Sequence, residues 1–256
     1  MNWNVAYHSG MSAQSDFRAC ILTGAAAGVV AGLLTAQHFF GAIPRFVREG
    51  GKLFIDSGAF SAFRKNEPMN WEKVFRAYDY VICSTEGSPN VTIVAPDVVG
   101  NQEATLALWI LHRDLIRSWI DSGVRVMMPL QRGSLPANTL LEQAKTLLGT
   151  DHFCAGIPSN EAALPADECA QLRHHDFHIL GRVVLTPEIE EKVRALRKEN
   201  PEASLTADAN WLRSRTKKIG IKLTELPLDL FSSRRTRAIA SVLRQESYVS
   251  TDLAQA

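Results

Sequence analysis

Six times along this chain a short apolar run stops at a brief polar or glycine-containing phrase: DSG (56–58), PD (96–97), QRG (131–133), GIPSN (156–160), LG (180–181) and DAN (208–210). Amphipathic stretches separate these runs, and that alternation is what a parallel α/β protein requires, because parallel strands need a crossover between them. Strands are expected at 52–55, 91–95, 124–128, 153–157, 177–180 and 205–207. Helices are expected at 70–77, 102–122, 136–148, 165–173, Pro187–Glu199 and 234–245, with a further apolar run at 80–83.

Two architectures produce this alternation. An open doubly wound sheet more often carries a glycine-rich phosphate loop after its first strand, and neither GxGxxG nor GxxxxGK[ST] occurs here. A (β/α)8 TIM-type barrel instead gathers every strand end on one rim, where active sites are built, and needs roughly 250 residues. The chain has 256 residues, 46% hydrophobic and 21% charged, enough for a large core and against disorder. The expectation is one barrel domain over residues 1–256.

Charge is nearly balanced at +1 but unevenly spread. From residue 205 onward nine Lys/Arg face five Asp/Glu, leaving 19 against 22 elsewhere. Arg213, Arg215, Lys217 and Lys218, then Arg234, Arg235 and Arg237, are either a solvated face or a phosphate-binding patch. Cys20, Cys83, Cys154 and Cys169 form no CxxC and no zinc-finger spacing with the seven histidines, which suits reduced, mostly buried thiols of a cytoplasmic protein. Residues 19–43 lack Asp, Glu, Lys and Arg, but Ala and Gly dominate them and Thr23, Thr35, Gln37 and His38 interrupt them. They read as a buried, helical, tightly packed segment rather than a membrane span.

Asp56 and Asp208 each close an apolar run. Alone, an aspartate at a strand end is commonly an N-cap for the next helix. Together on one rim, two carboxylates divide the labour of a glycosyl exchange: one attacks the anomeric carbon while the other moves protons. Phe60 and Phe63 follow Asp56 closely enough to flank a planar base, and Gly58 lets backbone or a flat ligand approach. Asp97 and Gln131 offer an acceptor and a donor–acceptor pair to a purine edge, or equally serve as caps and turns. Trp109 and Trp119 read as helix-packing residues, and Trp211, three residues past Asp208, as a base or backbone contact. Histidines 174, 175 and 178 read as a polar surface cluster.

Taken together, these phrases resemble the tRNA-guanine transglycosylase-like superfamily. IDSGAFSAF (55–63) resembles that family's DSGG[FY]Q phrase. APDVVG (95–100), PLQRGS (129–134), AGIPSN (155–160), HILGR (178–182) and TADANWLRSR (206–215) follow in the family's order, covering about residues 50–216. The chain departs from the tRNA enzymes in having no C-terminal CxC…C…H zinc pattern, and Ala59 and Ser61 stand where they carry Gly and Gln. Those departures make it most similar to the shorter DNA-modifying DpdA branch found in phages and genomic islands.

The resemblance implies a pentosyltransferase that replaces guanine in DNA with a 7-deazaguanine such as preQ0, through a covalent glycosyl-aspartate. Asp208 would be the nucleophile and Asp56 the acid/base. Ser57 and Gly58 would shape the pocket, while Asp97, Gln131 and Gly156 would read the base edge. Arg213, Arg215, Lys217 and Lys218 would hold backbone phosphates. No cofactor, metal or zinc is implied beyond the base co-substrate, and the setting would be the cytoplasm of a bacterial cell or phage-infected host. The partners implied are DNA and the free base, with helper proteins or a homodimer left open and no membrane. The alternatives are a transglycosylase of tRNA and a non-catalytic nucleic-acid-binding barrel. An aldolase-like barrel would need a Schiff-base lysine at a strand end, and no lysine ends a strand here.

Overall fold

The computed structural model describes residues 3–160, 163–181, 186–209 and 233–252. Eight parallel strands follow one another around a closed barrel: β1 (Val5–His8), β2 (Ala27–Val30), β3 (Leu53–Asp56), β4 (Val91–Val94), β5 (Arg125–Pro129), β6 (Cys154–Pro158), β7 (Asp176–Leu180) and β8 (Ser204–Ala209). β8 pairs with β1 in parallel, Tyr7 opposite Asp208, so no sheet edge is left open. The chain is a single-domain TIM barrel, as expected.

Outside the strands lie α1 (Gln14–Thr23), α2 (Ile43–Arg48), α3 (Ala59–Lys65), α4 (Trp71–Ser84), α5 (Gln102–Leu111), α6 (Arg113–Asp121), α7 (Ala137–Leu148), α8 (Ala166–Cys169), α9 (Pro187–Glu199) and α10 (Arg234–Asp252). Strand residues alternate between two environments. Leu53 and Ile55, Val126 and Met128, and Ile157 and Ile179 point outward into the core shared with the helices. Tyr7, Phe54, Val94, Met127 and Cys154 point inward and form a second, smaller apolar cluster within the bore. Trp109 and Trp119 are buried in the outer core, as expected.

Below that inner cluster the bore is plugged by charge. Arg125, at the start of β5, donates to both carboxylate oxygens of Asp176 on β7 at 2.6 and 2.7 Å. The same guanidinium reaches Thr206 Oγ1 at 2.9 Å, Cys154 Sγ at 3.0 Å and Thr92 Oγ1 at 3.3 Å, drawing β4, β5, β6, β7 and β8 onto one cation. A bidentate pair supplemented by neutral acceptors is the arrangement that makes a buried guanidinium tolerable.

The structure corrects several boundaries. Residues 19–43 are not one helix: α1 ends at Thr23, and AGVV then forms β2 between β1 and β3. The small residues there serve a crowded bore, since a Cβ on Gly28 would sit 3.1 Å from Ser9 Cα. The 70–77 helix and the 80–83 apolar run are one element, α4, because Val74, Tyr78 and Val81 share a single buried face. The helix over 102–122 is divided at His112, which leaves helical geometry with its ring edge-on to Phe75 at 4.9 Å. Helical hydrogen bonds continue on both sides of it. The 165–173 helix shortens to α8, and the closing helix extends to Asp252.

Two interactions fix pieces of the upper rim and the seam. Lys192 of α9 is fully buried and gives its three N–H bonds to the carbonyls of Pro158, Ser159 and Asn160, at 3.0, 3.1 and 3.0 Å, holding the loop after β6. Arg235 of α10 donates to both oxygens of buried Asp16 on α1, at 2.5 and 2.6 Å. Cys20, Cys154 and Cys169 are buried thiols and Cys83 is exposed. Among the described residues no helix is long and apolar enough to cross a membrane.

Candidate active site

The carboxyl ends of the strands bring three aspartates to one rim. Asp56 ends β3, Asp208 lies near the end of β8, and Asp97 follows β4 by three residues. Asp56 feels the negative charge of Asp208, and Asp97 feels that of Asp56, so the three form one electrostatic group.

Their surroundings differ. Burial raises the Asp56 carboxyl from 3.8 to about 6; the Gly58 N–H, donated to Oδ1 at 2.8 Å, opposes the rise and Asp208 adds to it. Gly58 adopts a φ of 88°, the left-handed region, which turns its N–H back onto Asp56 just before α3 begins. Burial raises Asp97 further, to about 7, with Asp56 contributing and a hydrogen bond from Gln131 opposing. Asp208 instead faces donors: Ser9 Oγ to Oδ2 at 2.9 Å, Gly181 N–H to Oδ1 at 2.8 Å, and His178 Nε2 at 3.4 Å from Oδ1. The group thus pairs a carboxylate held as an acceptor with carboxyls poised to carry protons near neutrality.

Ser57 is buried and accepts the Ala59 N–H at 3.2 Å, shaping the turn into α3. Asp97 and Gln131 engage each other: Gln131 Nε2 donates to Asp97 Oδ2 at 2.8 Å while its Oε1 accepts the Gly100 N–H at 2.9 Å. Each end of the Gln131 amide has capacity beyond these contacts, one N–H on Nε2 and one lone pair on Oε1. Gly156 lies on the inner face of β6, where a Cβ would meet Met127 at 3.1 Å and Pro129 Cα at 3.2 Å, so any side chain would crowd the bore. Phe60 and Phe63 both stand exposed on α3, the first element past Asp56. Trp211, Arg213, Arg215, Lys217 and Lys218 lie outside the described residues.

Two site residues escaped the sequence reading. His178 is not on the surface but fully buried, because it occupies an inward position of β7; His174 is buried too, and only His175 of that cluster is exposed. The His178 ring stacks on Phe54 across the bore, centroids 4.7 Å apart and planes 8° apart, with Tyr7 beside both. Ser9 lies in the first 50 residues, where no phrase drew notice. Strand alternation was the available signal: Tyr7 and Ser9, like Thr206 and Asp208, share the inward parity.

Among the described residues no group of three or more His, Cys, Asp or Glu is arranged to hold a metal ion. A cleft of about 790 Å3 lies away from the carboxylate rim; Arg18, His38 and Arg45 border it.

No family model matches the chain, and neither does any curated protein. Solved structures do. The YdjI aldolase of Escherichia coli K12 superposes with a TM-score of 0.61 at 10% identity, over 95% of this chain and 90% of that one. The D-allulose 3-epimerase of Methylomonas sp. gives 0.53 at 11% identity, over 96% and 97%. At such identity the likeness is one of fold.

Proposed function

We propose that the chain is a transglycosylase that exchanges guanine in DNA for a 7-deazaguanine base of the preQ0 type. The observation that carries this reading is the division between two carboxylates on one barrel rim. Asp208 is held by donors as a ready nucleophile, and Asp56, raised to about 6, is able to give and take a proton near neutral pH. The six sequence phrases support it as well, since they fall at the carboxyl ends of β3 to β8 in order.

The reaction runs in two displacements. An Asp208 oxygen attacks C1′ of the target nucleotide as the bond to guanine breaks, and Asp56 protonates the departing base. A 7-deazaguanine then enters, gives its proton to Asp56, and attacks C1′ to release Asp208. Ser57 and Gly58 set the Asp56 turn, Gly156 keeps space open, and the Asp97–Gln131 pair contacts the base edge. Phe60 stands where a base leaving the stack would pass. A target inside a duplex must be flipped out to reach such a rim. Arg213, Arg215, Lys217 and Lys218 follow the nucleophile in sequence and supply the charge for backbone phosphates.

The test incubates the protein with labelled preQ0 and guanine-containing DNA, and separately with tRNA. Label is expected in DNA, lost in folded Asp208→Asn and Asp56→Asn proteins. Label in tRNA alone keeps the chemistry and changes the substrate. Full activity in either variant removes that residue from the mechanism.

A further inference from the structure

His178 is a fully buried imidazole with both ring nitrogens engaged, an arrangement the two-aspartate mechanism does not explain. Nδ1 lies 2.8 Å from Thr206 Oγ1 and Nε2 lies 3.4 Å from Asp208 Oδ1. Thr206 Oγ1 also receives an N–H from Arg125 at 2.9 Å. A guanidinium only donates, so Thr206 accepts from Arg125 and keeps its own proton, which faces both the Phe177 carbonyl at 3.3 Å and His178 Nδ1 at 2.8 Å, the shorter contact. Burial lowers the His178 basicity, which keeps the ring neutral with a single N–H. An ionised Asp208 only accepts, so that N–H belongs on Nε2, and Nδ1 takes the Thr206 hydroxyl proton.

Each donor therefore points the same way, from Arg125 to Thr206 to His178 to Asp208. The chain starts at the charged plug of the bore and ends at the rim. The face-to-face contact with Phe54 holds the ring plane, and the bidentate Asp176 pair anchors the first donor. On the far side of the carboxylate Ser9 holds Oδ2, while Gly181 shares Oδ1 with the imidazole.

We infer that His178 is a positioning residue for Asp208: a neutral imidazole, locked as the Nε2–H tautomer by Thr206 and Arg125, that orients the carboxylate without exchanging protons with substrate. The catalytic consequence rests on the transglycosylase reading; the tautomer and its hold on Asp208 do not. A misplaced reacting group costs on the order of 10²-fold in rate, which sets the size of the effect to look for.

The experiment compares wild type with His178→Phe, which keeps the ring stack and removes both nitrogens, and His178→Gln, whose amide N–H can replace the Nε2 donor. In wild type, 15N NMR of the imidazole is expected to show the neutral Nε2–H tautomer. In His178→Phe, 13C NMR of the Asp208 carboxyl is expected to show a chemical shift displaced by loss of the Nε2 donor, with His178→Gln returning it toward wild type. In the labelled-preQ0 assay, His178→Phe should lower kcat about 10²-fold with KM for the base little changed, and His178→Gln should recover most of it. An Nδ1–H tautomer, an imidazolium, or an Asp208 carboxyl signal unmoved by His178→Phe overturns the inference, whatever the assay shows. A wild type that performs no exchange, yet shows the Nε2–H tautomer and the displaced carboxyl signal, defeats the transglycosylase reading alone. If His178→Phe does not fold, the wild-type tautomer and the His178→Gln carboxyl signal and kinetics still decide the question.

Discussion

The two ends of the barrel bore both bury charge, and they treat it in opposite ways. At the lower end Arg125 meets Asp176 through two short hydrogen bonds, and four further acceptors surround the guanidinium. At the rim half-buried Asp56 and buried Asp97 lie beside other carboxyls, and among the described residues no cationic side chain pairs with either. The lower end is arranged for stability. The rim keeps groups whose ionisation is unfavourable there, and a fold accepts that arrangement where proton transfer is needed.

Breaking the paired end should have the largest effect. Arg125→Met leaves largely enclosed Asp176, its side chain 14% exposed, without its cation and should cost about 3 kcal/mol in denaturant unfolding. The Arg125→Met/Asp176→Leu double variant should recover much of that loss, and no recovery would mean the plug is not an isolated pair.

At the rim the sign reverses. Asp97 rises from 3.8 to about 7 on folding, so the stability tied to its protonated form is complete below 3.8 and is lost as pH rises through about 7. Asp97→Asn should therefore be more stable than wild type by roughly 2–4 kcal/mol at alkaline pH, a gap that closes on acidification. Unfolding curves across pH 4 to 9 measure it, and a gap that does not change with pH would show that Asp97 ionises freely. The smallest effect should come from Cys154→Ser in the plug. A hydroxyl there still accepts from Arg125, and the change in stability should stay within about 1 kcal/mol.

The contrast between the two ends also explains what could be read from the sequence. From β3 to β8 each apolar run of branched and long residues became a strand within a residue or two, because outer-core burial leaves a continuous signal. β1 (VAYH) and β2 (AGVV) are short, and Ala and Gly blur them, so β2 reads as part of a helical segment. The rim aspartates were legible because each closes an apolar run. The plug was not: Arg125 and Asp176 sit at strand starts 51 residues apart, and only closure of the barrel makes them neighbours. His178 was hidden by its neighbours, since two adjacent histidines and an aspartate made its strand look like surface.

The seam where the barrel closes also sets a schedule for building the protein. Ser9 and Asp208 are separated by 199 residues, and Asp16 and Arg235 by 219. On the ribosome, β1 must wait with an unpaired edge through the 199 residues that separate Ser9 from Asp208 before β8 can meet it. Contacts so distant in sequence form slowly, and open strand edges invite association in the meantime. The Asp208 site is therefore assembled only when β8 closes on β1, so a half-closed barrel lacks it altogether.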